Sequence, residues 1–330
     1  MSTSRFSVEP TKAVIAGGTG TLGRRVADAL TVHGYDVLVL TRSPRPGFAH
    51  RQMWWDGRTV GPWAAELADA VVVNLAGELV DRRPTGRNVE LLRRSRVEPT
   101  EALVRATESL DVAPRWWVQM STLAIYGDAG DVIVTEGHPP ADGPPQMPGV
   151  ALPWEAAMGD AWSDRRVVLR TALVFDRAAP ALARLVRLTR LGLGGRIAGG
   201  DQWVSWVHVA DFLGALRFTL DQQLTGVVHL TAPAPVRNRE LMAALRSLLH
   251  RPWSPPTPRP FVQIGAWLMG TDPALALTGR RCLPQRLTDA GYVFGFPTLA
   301  VALTDLLCPR GSDERNAVPA IEAGCRPLVG

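Results

Sequence analysis

A hydroxyl-rich segment, STLAIYG (residues 121–127), follows the apolar stretch RWWVQM and carries three side chains suited to carbonyl chemistry: Ser121, Thr122 and Tyr126. A hydroxyl at the end of a buried strand can donate a hydrogen bond to a carbonyl oxygen and stabilise the charge that develops there. Aliphatic hydroxyls are weak acids, and a tyrosine needs a neighbouring cation to donate a proton at neutral pH. The only lysine of the chain is Lys12. We therefore treat these three residues as tentative catalytic groups that lack the usual source of a proton.

Each of these hydroxyls also has a structural interpretation. Thr122 could cap the backbone at the strand end, and Tyr126 could pack beneath the site instead of acting as a catalyst. The residue types alone leave both interpretations open.

A glycine-rich turn near the N-terminus has the spacing of a phosphate-binding loop. Gly17, Gly20 and Gly23 lie between the strand-like run KAVIAG and a helical pattern that ends at Gly34. In a dinucleotide-binding turn the first glycine permits the tight bend and the second lets the pyrophosphate approach the backbone. The third lets the helix pack closely, and the amides at the start of the helix bind the phosphates. The context predicts a nicotinamide dinucleotide site.

The end of the second strand-like run indicates which dinucleotide is bound. An NAD-specific enzyme usually has Asp or Glu at this place, whereas this chain has Thr41, Arg42 and Ser43. A guanidinium and a hydroxyl suit the 2′-phosphate of NADPH. We therefore expect NADPH as the cofactor, with NADH as an alternative. Arg42 could instead be a solvated surface charge that binds no cofactor.

Composition excludes several classes of protein. The chain has 330 residues, 46% hydrophobic and 20% charged, and no apolar run approaches the roughly 20 residues of a membrane span. Its arginines are scattered in spite of a net charge of +5, so we expect no nucleic-acid partner. Three cysteines are too few and too far apart for a metal site or a disulfide framework. The polar N-terminus predicts a cytoplasmic protein without a signal peptide or a membrane partner, and no particular oligomeric state follows.

The order of elements predicts how the site is held. Apolar β-branched runs alternate with helical patterns through the first half, which predicts an α/β fold with a Rossmann-type doubly wound parallel sheet. We expect a dinucleotide-binding domain over residues 1–177. A smaller, mainly substrate-binding region, partly interleaved with the sheet, is expected over 178–310, and a C-terminal tail over 311–330.

Several motifs together resemble the extended short-chain dehydrogenase/reductase superfamily. GGTGTLG, NLAG (residues 74–77) and STLAIYG occur in the order typical of that superfamily, and LRTALVF and GGDQWVSWVHVADF resemble an atypical, epimerase-like branch of it. The resemblance implies a set of cofactor contacts. These are Gly17, Gly18, Thr19, Gly20, Thr21, Leu22, Gly23, Thr41, Arg42, Ser43, Leu75, Ala76, Gly77, Met120 and Thr171.

The same resemblance shows what is missing. Alignment on Glu155 puts Met147 at the tyrosine and Ala151 at the lysine of the catalytic Tyr-x-x-x-Lys pair, and neither side chain transfers protons. Leu123-Ala124 replaces the Asp-Glu pair of the sugar-nucleotide dehydratases. Val204 stands where sugar-nucleotide epimerases often have an arginine for the diphosphate.

The resemblance also places Trp154, Gln202, Trp203 and Trp206 near the substrate. An aromatic, apolar wall suits a flat hydrophobic ligand. We therefore expect an NADPH-dependent ketoreductase acting on a bulky aromatic small molecule, similar to the angucyclinone (simocyclinone-type) reductases of aromatic polyketide pathways. The alternatives are a nucleotide-sugar epimerase-like enzyme and a catalytically inactive NADP-binding sensor.

Overall fold

The computed structural model describes residues 11–308, so the predicted tail at 311–330 lies outside the described residues. Its strands are β1 (Lys12–Ala16), β2 (Asp36–Thr41), β3 (Arg51–Trp54), β4 (Val71–Asn74), β5 (Trp116–Thr122), β6 (Ile133–Val134), β7 (Arg166–Thr171), β8 (Leu173–Phe175), β9 (Trp203–Val204), β10 (Trp206–His208), β11 (Gly226–Leu230), β12 (Val236–Arg237) and β13 (Arg281–Cys282). Its α-helices are α1 (Thr21–Val32), α2 (Gly86–Glu108), α3 (Pro148–Ala156), α4 (Pro180–Arg190), α5 (Val209–Asp221), α6 (Asn238–Leu248), α7 (Arg259–Met269), α8 (Ala274–Leu277), α9 (Gln285–Asp289) and α10 (Leu299–Leu307). Two 3₁₀ helices cover Pro62–Leu67 and Leu123–Tyr126.

Seven parallel strands form the main sheet in the order β11-β7-β5-β4-β1-β2-β3. Alternate residues of β1 enter different cores: Ala13 and Ile15 pack on one face of the sheet, Val14 and Ala16 on the other. Both faces are thus covered, as the continuous apolar runs of the sequence require. This arrangement confirms the predicted Rossmann-type doubly wound fold.

Two details of the sheet differ from the sequence prediction. The run RRVVLRTALVF reads as one strand but divides at Ala172: β7 belongs to the main sheet, whereas β8 pairs with β10 in a separate two-stranded sheet. The edge strand β3 was not predicted, because its four residues, RQMW, are only partly buried and show no apolar run.

The second half of the chain builds a smaller lobe around its own core. Helices α4, α6 and α10 pack around Phe175 and Trp206. The chain returns to the main sheet to add β11 beside β7, so the sheet includes residues beyond 177; the domain boundaries themselves stay a prediction. Among residues 11–308, no helix is both long enough and apolar enough to cross a membrane.

Candidate active site and cofactor crevice

The glycine turn after β1 has the shape of a phosphate cradle. Gly17 has a φ of +79°, and a Cβ there would lie 2.8 Å from the carbonyl oxygen of Leu75. A Cβ on Gly23 would lie 2.4 Å from the Gly17 oxygen, so helix α1 packs against the turn only because this residue is glycine. At Gly20 the nearest atom to such a Cβ would be 3.4 Å away, which leaves the turn open on its outer side.

The start of α1 carries no competing anion. Gly20 caps the helix without a side-chain hydrogen bond, and its first turn contains no acidic residue. The free amides and the helix dipole therefore favour a bound phosphate. Since both the space and the charge suit it, the residues present fit the pyrophosphate of a dinucleotide.

The structure brings the remaining predicted cofactor residues to the same edge of the sheet. These residues lie at or just after the carboxyl ends of β1, β2, β4, β5 and β7, where a doubly wound sheet binds its ligand. Thr19 in the glycine turn and Thr41 at the end of β2 lie within hydrogen-bonding distance, with their hydroxyls 3.4 Å apart. The Thr41 hydroxyl also accepts from the amide of Ser43. That these residues contact a cofactor stays a prediction.

Side chains of α2 hold the loop after β4 in place through hydrogen bonds. Asn74 donates to the hydroxyl of Thr100, and its own side-chain oxygen accepts from the amide of Ala76. Arg96 donates to the carbonyl oxygen of Glu78, and a Cβ on Gly77 would lie 3.0 Å from the guanidinium carbon. Burial lowers the pKa of Arg96 to about 10. No local sequence pattern predicts that a buried arginine supports this loop.

The hydroxyls of Ser121 and Thr122 point to different environments. The side chain of Thr122 is half-buried at the end of β5, and its oxygen accepts from the amide of Ala124. It therefore caps the backbone and still has its hydrogen to donate to a ligand. Ser121 is buried and donates to Glu155 over 2.5 Å.

A buried polar network extends from Ser121 beneath the strand ends. Arg170 forms two hydrogen bonds with the Glu155 carboxylate, of 2.9 and 2.7 Å, and donates over 2.6 Å to the hydroxyl of Tyr126. The Tyr126 oxygen lies 2.7 Å from Nε2 of His229, whose Nδ1 lies 3.0 Å from the carbonyl oxygen of Leu283. We call these five side chains, Ser121, Glu155, Arg170, Tyr126 and His229, the buried network.

The hydrogen bonds of the buried network have one consistent direction. A guanidinium can only donate, so Tyr126 accepts from Arg170 and gives its own hydrogen to His229. That assigns the histidine proton to Nδ1, which donates to Leu283. Burial lowers the pKa of His229 to about 4 and raises that of Tyr126 to about 12. Burial would lower the pKa of Arg170, but the hydrogen bonds and the charge of Glu155 outweigh it and raise that pKa.

The placement of Ser121 and Tyr126 in this network corrects their tentative catalytic assignment. Both side chains are buried, and the Tyr126 hydroxyl accepts a hydrogen bond from Arg170 and donates one to His229. Neither hydroxyl is placed to touch a substrate, so the half-buried Thr122 is the member of the predicted trio that stays a catalytic candidate.

The positions expected for a catalytic tyrosine and lysine are filled by buried, non-ionisable side chains. Met147 precedes the first turn of α3 and Ala151 lies within it, both almost fully buried. The Sδ of Met147 is 3.8 Å from the guanidinium of Arg280, which also donates to the carbonyl oxygen of Gly127. Burial lowers the pKa of Arg280.

The structure separates the predicted substrate tryptophans. Trp206 is fully buried and stacks on Phe175, so its assignment to the substrate site is corrected to a core role. Trp154 is buried, and the guanidinium carbon of Arg96 lies 5.1 Å from the centroid of its ring. The indole nitrogen of Trp154 has no hydrogen-bond partner within the described part of the chain. These two rings form no continuous wall.

Gln202 and Trp203 line a cavity of about 320 Å³ between the loop at 128–131 and the smaller lobe. The Gln202 amide donates to the carbonyl oxygen of Ala276. The ring of Trp203 has the guanidinium carbons of Arg237 and Arg281 within 5 Å of its centroid, at 4.2 and 4.6 Å. Charged groups thus cover this ring, and the expected apolar aromatic wall is not what the cavity presents.

Comparison with known proteins assigns the chain to a family. A profile of the NAD-dependent epimerase/dehydratase family matches residues 13–147, and a profile of a domain of unknown function, DUF1731, matches residues 257–306. The epimerase family protein SDR39U1 of Bos taurus is 32% identical over 305 residues, which cover 90% of this chain and 99% of that protein. This chain belongs to the NAD-dependent epimerase/dehydratase family.

Two solved structures and one further relative are also similar to this chain. The crystal structure of human SDR39U1 (isoform 2) with NADPH has a TM-score of 0.79 and 30% identity, covering 90% of this chain and 99% of that one. A nucleoside-diphosphate sugar epimerase from Corynebacterium glutamicum has a TM-score of 0.71 and 27% identity, covering 92% of this chain and 60% of that one. The epimerase family protein MT2273 of Mycobacterium tuberculosis (strain CDC 1551 / Oshkosh) is 34% identical, covering 88% of this chain and 95% of that protein.

Sequence reasoning missed the charged members of the buried network in this epimerase-family site. Arg170 lies inside an apolar run and Glu155 follows a tryptophan, so an unmatched charge in each predicted buried element was the available signal. His229 lies beside Arg170 in the register of β11 and β7, a pairing that no local pattern reveals.

Proposed function

We propose that this epimerase-family protein transfers a hydride from NADPH to the carbonyl carbon of a small-molecule substrate, with Thr122 as hydrogen-bond donor to the carbonyl oxygen. The observation that carries the proposal is the pairing of an open phosphate cradle at Gly20 with the half-buried Thr122 hydroxyl at the carboxyl end of β5, on the same edge of the sheet. The coarser assignment, an NAD(P)-dependent family, follows from the matches above.

Two lines support NADPH as the cofactor. The human relative is crystallised with NADPH, and Arg42 follows β2 where a 2′-phosphate would be recognised. When bound, this cofactor supplies the hydride. The glycine turn and the start of α1 would hold its pyrophosphate.

The protein contributes placement and charge stabilisation in place of a proton relay. Thr122 donates to the developing alkoxide, and the buried network holds the strand ends on which Thr122 sits. Because Met147 and Ala151 occupy the tyrosine and lysine positions, the proton comes from the substrate's own hydroxyl or from water. Placement of two reactants is by itself a large term in catalysis.

The proposal does not extend to aromatic polyketides. None of the relatives named above is described as a polyketide ketoreductase, and the Trp203 side of the cavity is charged. The substrate is therefore proposed only as a carbonyl compound whose own hydroxyl can assist.

The test is NADPH oxidation, followed by nicotinamide absorbance, against ketones with and without a hydroxyl next to the carbonyl. We expect turnover with the hydroxylated set and little with the other. Cofactor binding without oxidation by any of these ketones would contradict a reductase and favour an inactive NADP-binding sensor.

A nucleotide-sugar epimerase-like activity is the second candidate, favoured by the family and by the 27% identical nucleoside-diphosphate sugar epimerase. The family matches support this candidate more directly than they support a dedicated ketoreductase. Such an enzyme returns its cofactor unchanged and binds a nucleoside diphosphate. Titration with UDP and with ADP tests it: saturable binding of a nucleoside diphosphate outside the NADPH site favours the epimerase, and its absence favours the reductase.

A further inference from the structure

An ion pair lies across the cofactor crevice. Arg42 follows β2 directly and Glu78 follows β4 by four residues, and their Nη2 and Oε1 atoms are 3.2 Å apart. Because β1 lies between β4 and β2 in the sheet, the pair bridges the carboxyl end of β1, where the glycine turn starts. The residue expected to recognise a 2′-phosphate is thus already engaged by a carboxylate.

Glu78 is the fixed member of this pair. Its amide donates to the Ser95 hydroxyl over 3.1 Å, and its carbonyl oxygen accepts from Arg96 over 2.9 Å. The side chain of Arg42 is 72% exposed, against 28% for Glu78. Arg42 can therefore swing away, whereas the carboxylate stays at the edge of the crevice.

A second cation keeps the Glu78 carboxylate paired when Arg42 leaves. Arg82, four residues further along the chain, lies 3.0 Å from Oε2 of Glu78. The hydrogen bond from Arg42 lowers the pKa of Glu78, so the carboxylate is charged at neutral pH. The cost of freeing Arg42 is thus that of one half-exposed ion pair and does not include a buried, unpaired charge.

We propose that Glu78 is a specificity-determining residue that limits the preference for NADPH over NADH by competing with the 2′-phosphate for Arg42. This inference rests on the proposed NADPH cofactor. Loss of the Glu78 charge frees Arg42 and removes a carboxylate that repels the phosphate. The effect falls on NADPH alone, because NADH carries no group that needs Arg42.

The experiment measures the dissociation constants of NADPH and NADH by nicotinamide fluorescence for the full-length protein and its variants. In Glu78→Gln we expect the NADPH-to-NADH affinity ratio to rise about threefold, the scale of an exposed ion pair. In Arg82→Gln the ratio falls, because Glu78 then pairs with Arg42 alone. In the background of Arg42→Ala, Glu78→Gln raises the ratio less than it does with Arg42 present, because only the repulsion between the carboxylate and the phosphate is then removed.

Glu66→Gln is the matched control. Glu66 is also 28% exposed and pairs with an arginine, Arg51, but at the opposite end of the sheet, beside Asp36 at the start of β2. Its variant keeps the wild-type ratio. Thermal unfolding of each variant verifies that the fold is intact.

The outcomes separate this inference from the proposed function. An equal change in both affinities in Glu78→Gln, or a lower NADPH affinity with NADH unchanged, overturns the inference and leaves hydride transfer untouched. If the wild-type protein binds neither dinucleotide, the proposed function fails and this inference fails with it.

Discussion

At the scale of single residues, the position of a hydroxyl along a strand decides its role. Side chains alternate between the two faces of a sheet, so Ser121 and Thr122 point in opposite directions. Ser121 therefore joins the buried network, whereas Thr122 is half-buried on the other face of β5. A pair of adjacent hydroxyls in the sequence thus contributes one candidate for chemistry and one for structure.

Replacement of Thr122 tests the chemical role. We expect Thr122→Val to lower kcat for NADPH oxidation by about 10²-fold with little change in KM, as loss of a donor to a developing oxyanion does. Thr122→Ser, which keeps the hydroxyl, retains most of the activity. Equal kcat in the Val and Ser variants would show that the hydroxyl does not contact the reacting oxygen.

Gly20 tests the cradle without disturbing the fold. A Cβ at this position meets no atom of the protein closer than 3.4 Å, so Gly20→Ala should unfold at the wild-type temperature. It should bind NADPH at least tenfold more weakly, because the methyl group occupies space that the pyrophosphate needs. Gly86→Ala, with nothing within 4 Å of its Cβ, is the control and keeps wild-type affinity. Unchanged affinity in Gly20→Ala would contradict the cradle.

At the scale of elements, the buried network joins the carboxyl ends of β5, β7 and β11 to α3. Four of its five side chains are buried and Glu155 is partly buried, so each hydrogen bond replaces one that the unfolded chain makes to water. The network rigidifies the strand end that carries Thr122. Loss of the buried network should therefore lower the free energy of unfolding more than it affects the cofactor site.

Glu155→Gln leaves the Arg170 guanidinium buried without its counter-charge. We expect a loss of about 3 kcal/mol in the free energy of unfolding, measured by urea denaturation, as for other broken buried ion pairs. The matched variant Glu98→Gln affects exposed pairs with Arg58 and Arg94 and should cost less than about 1 kcal/mol. A loss equally small for Glu155→Gln would mean that the network contributes little to stability.

His229 predicts how stability depends on pH. Its pKa is about 4 in the folded protein against 6.5 for a free histidine, so between these values the unfolded chain binds more protons. Above pH 6.5 the histidine is neutral in both the folded and the unfolded state, so its burial does not reduce the free energy of unfolding. That free energy falls by up to about 3 kcal/mol as the pH falls to 4. His229→Gln should flatten the pH profile of the unfolding free energy over this range, and a substitution at the exposed His138 serves as the control variant. A wild-type slope in His229→Gln would contradict a neutral buried His229.

The elements themselves were largely predictable from the sequence, and the site only in part. Apolar runs and the glycine turn locate β1, α1, β2, β4 and β5 because they carry local periodicity. The division at Ala172 and the exclusion of Trp206 from the site depend on which sheet each strand joins. The Arg42–Glu78 pair and the buried network join residues far apart in sequence, so only the register of parallel strands brings them together.

At the scale of the whole molecule, a Rossmann-type sheet meets a smaller lobe with its own core. The chain belongs to the epimerase family. Met147 and Ala151 stand where the sequence resemblance expects the catalytic tyrosine and lysine. That departure favours net reduction over a cycle that must remove a proton and return it. The direction of hydride transfer is therefore the central claim.

The most direct test of that claim is deuterium transfer from NADPH that carries deuterium at both C4 positions. With a hydroxylated ketone that oxidises NADPH, we predict one deuterium at the carbinol carbon of the product and a matching amount of NADP⁺, measured by mass spectrometry. Product without deuterium, or epimerised product with no net NADP⁺ formed, would contradict a reductase and establish the epimerase-like cycle in its place.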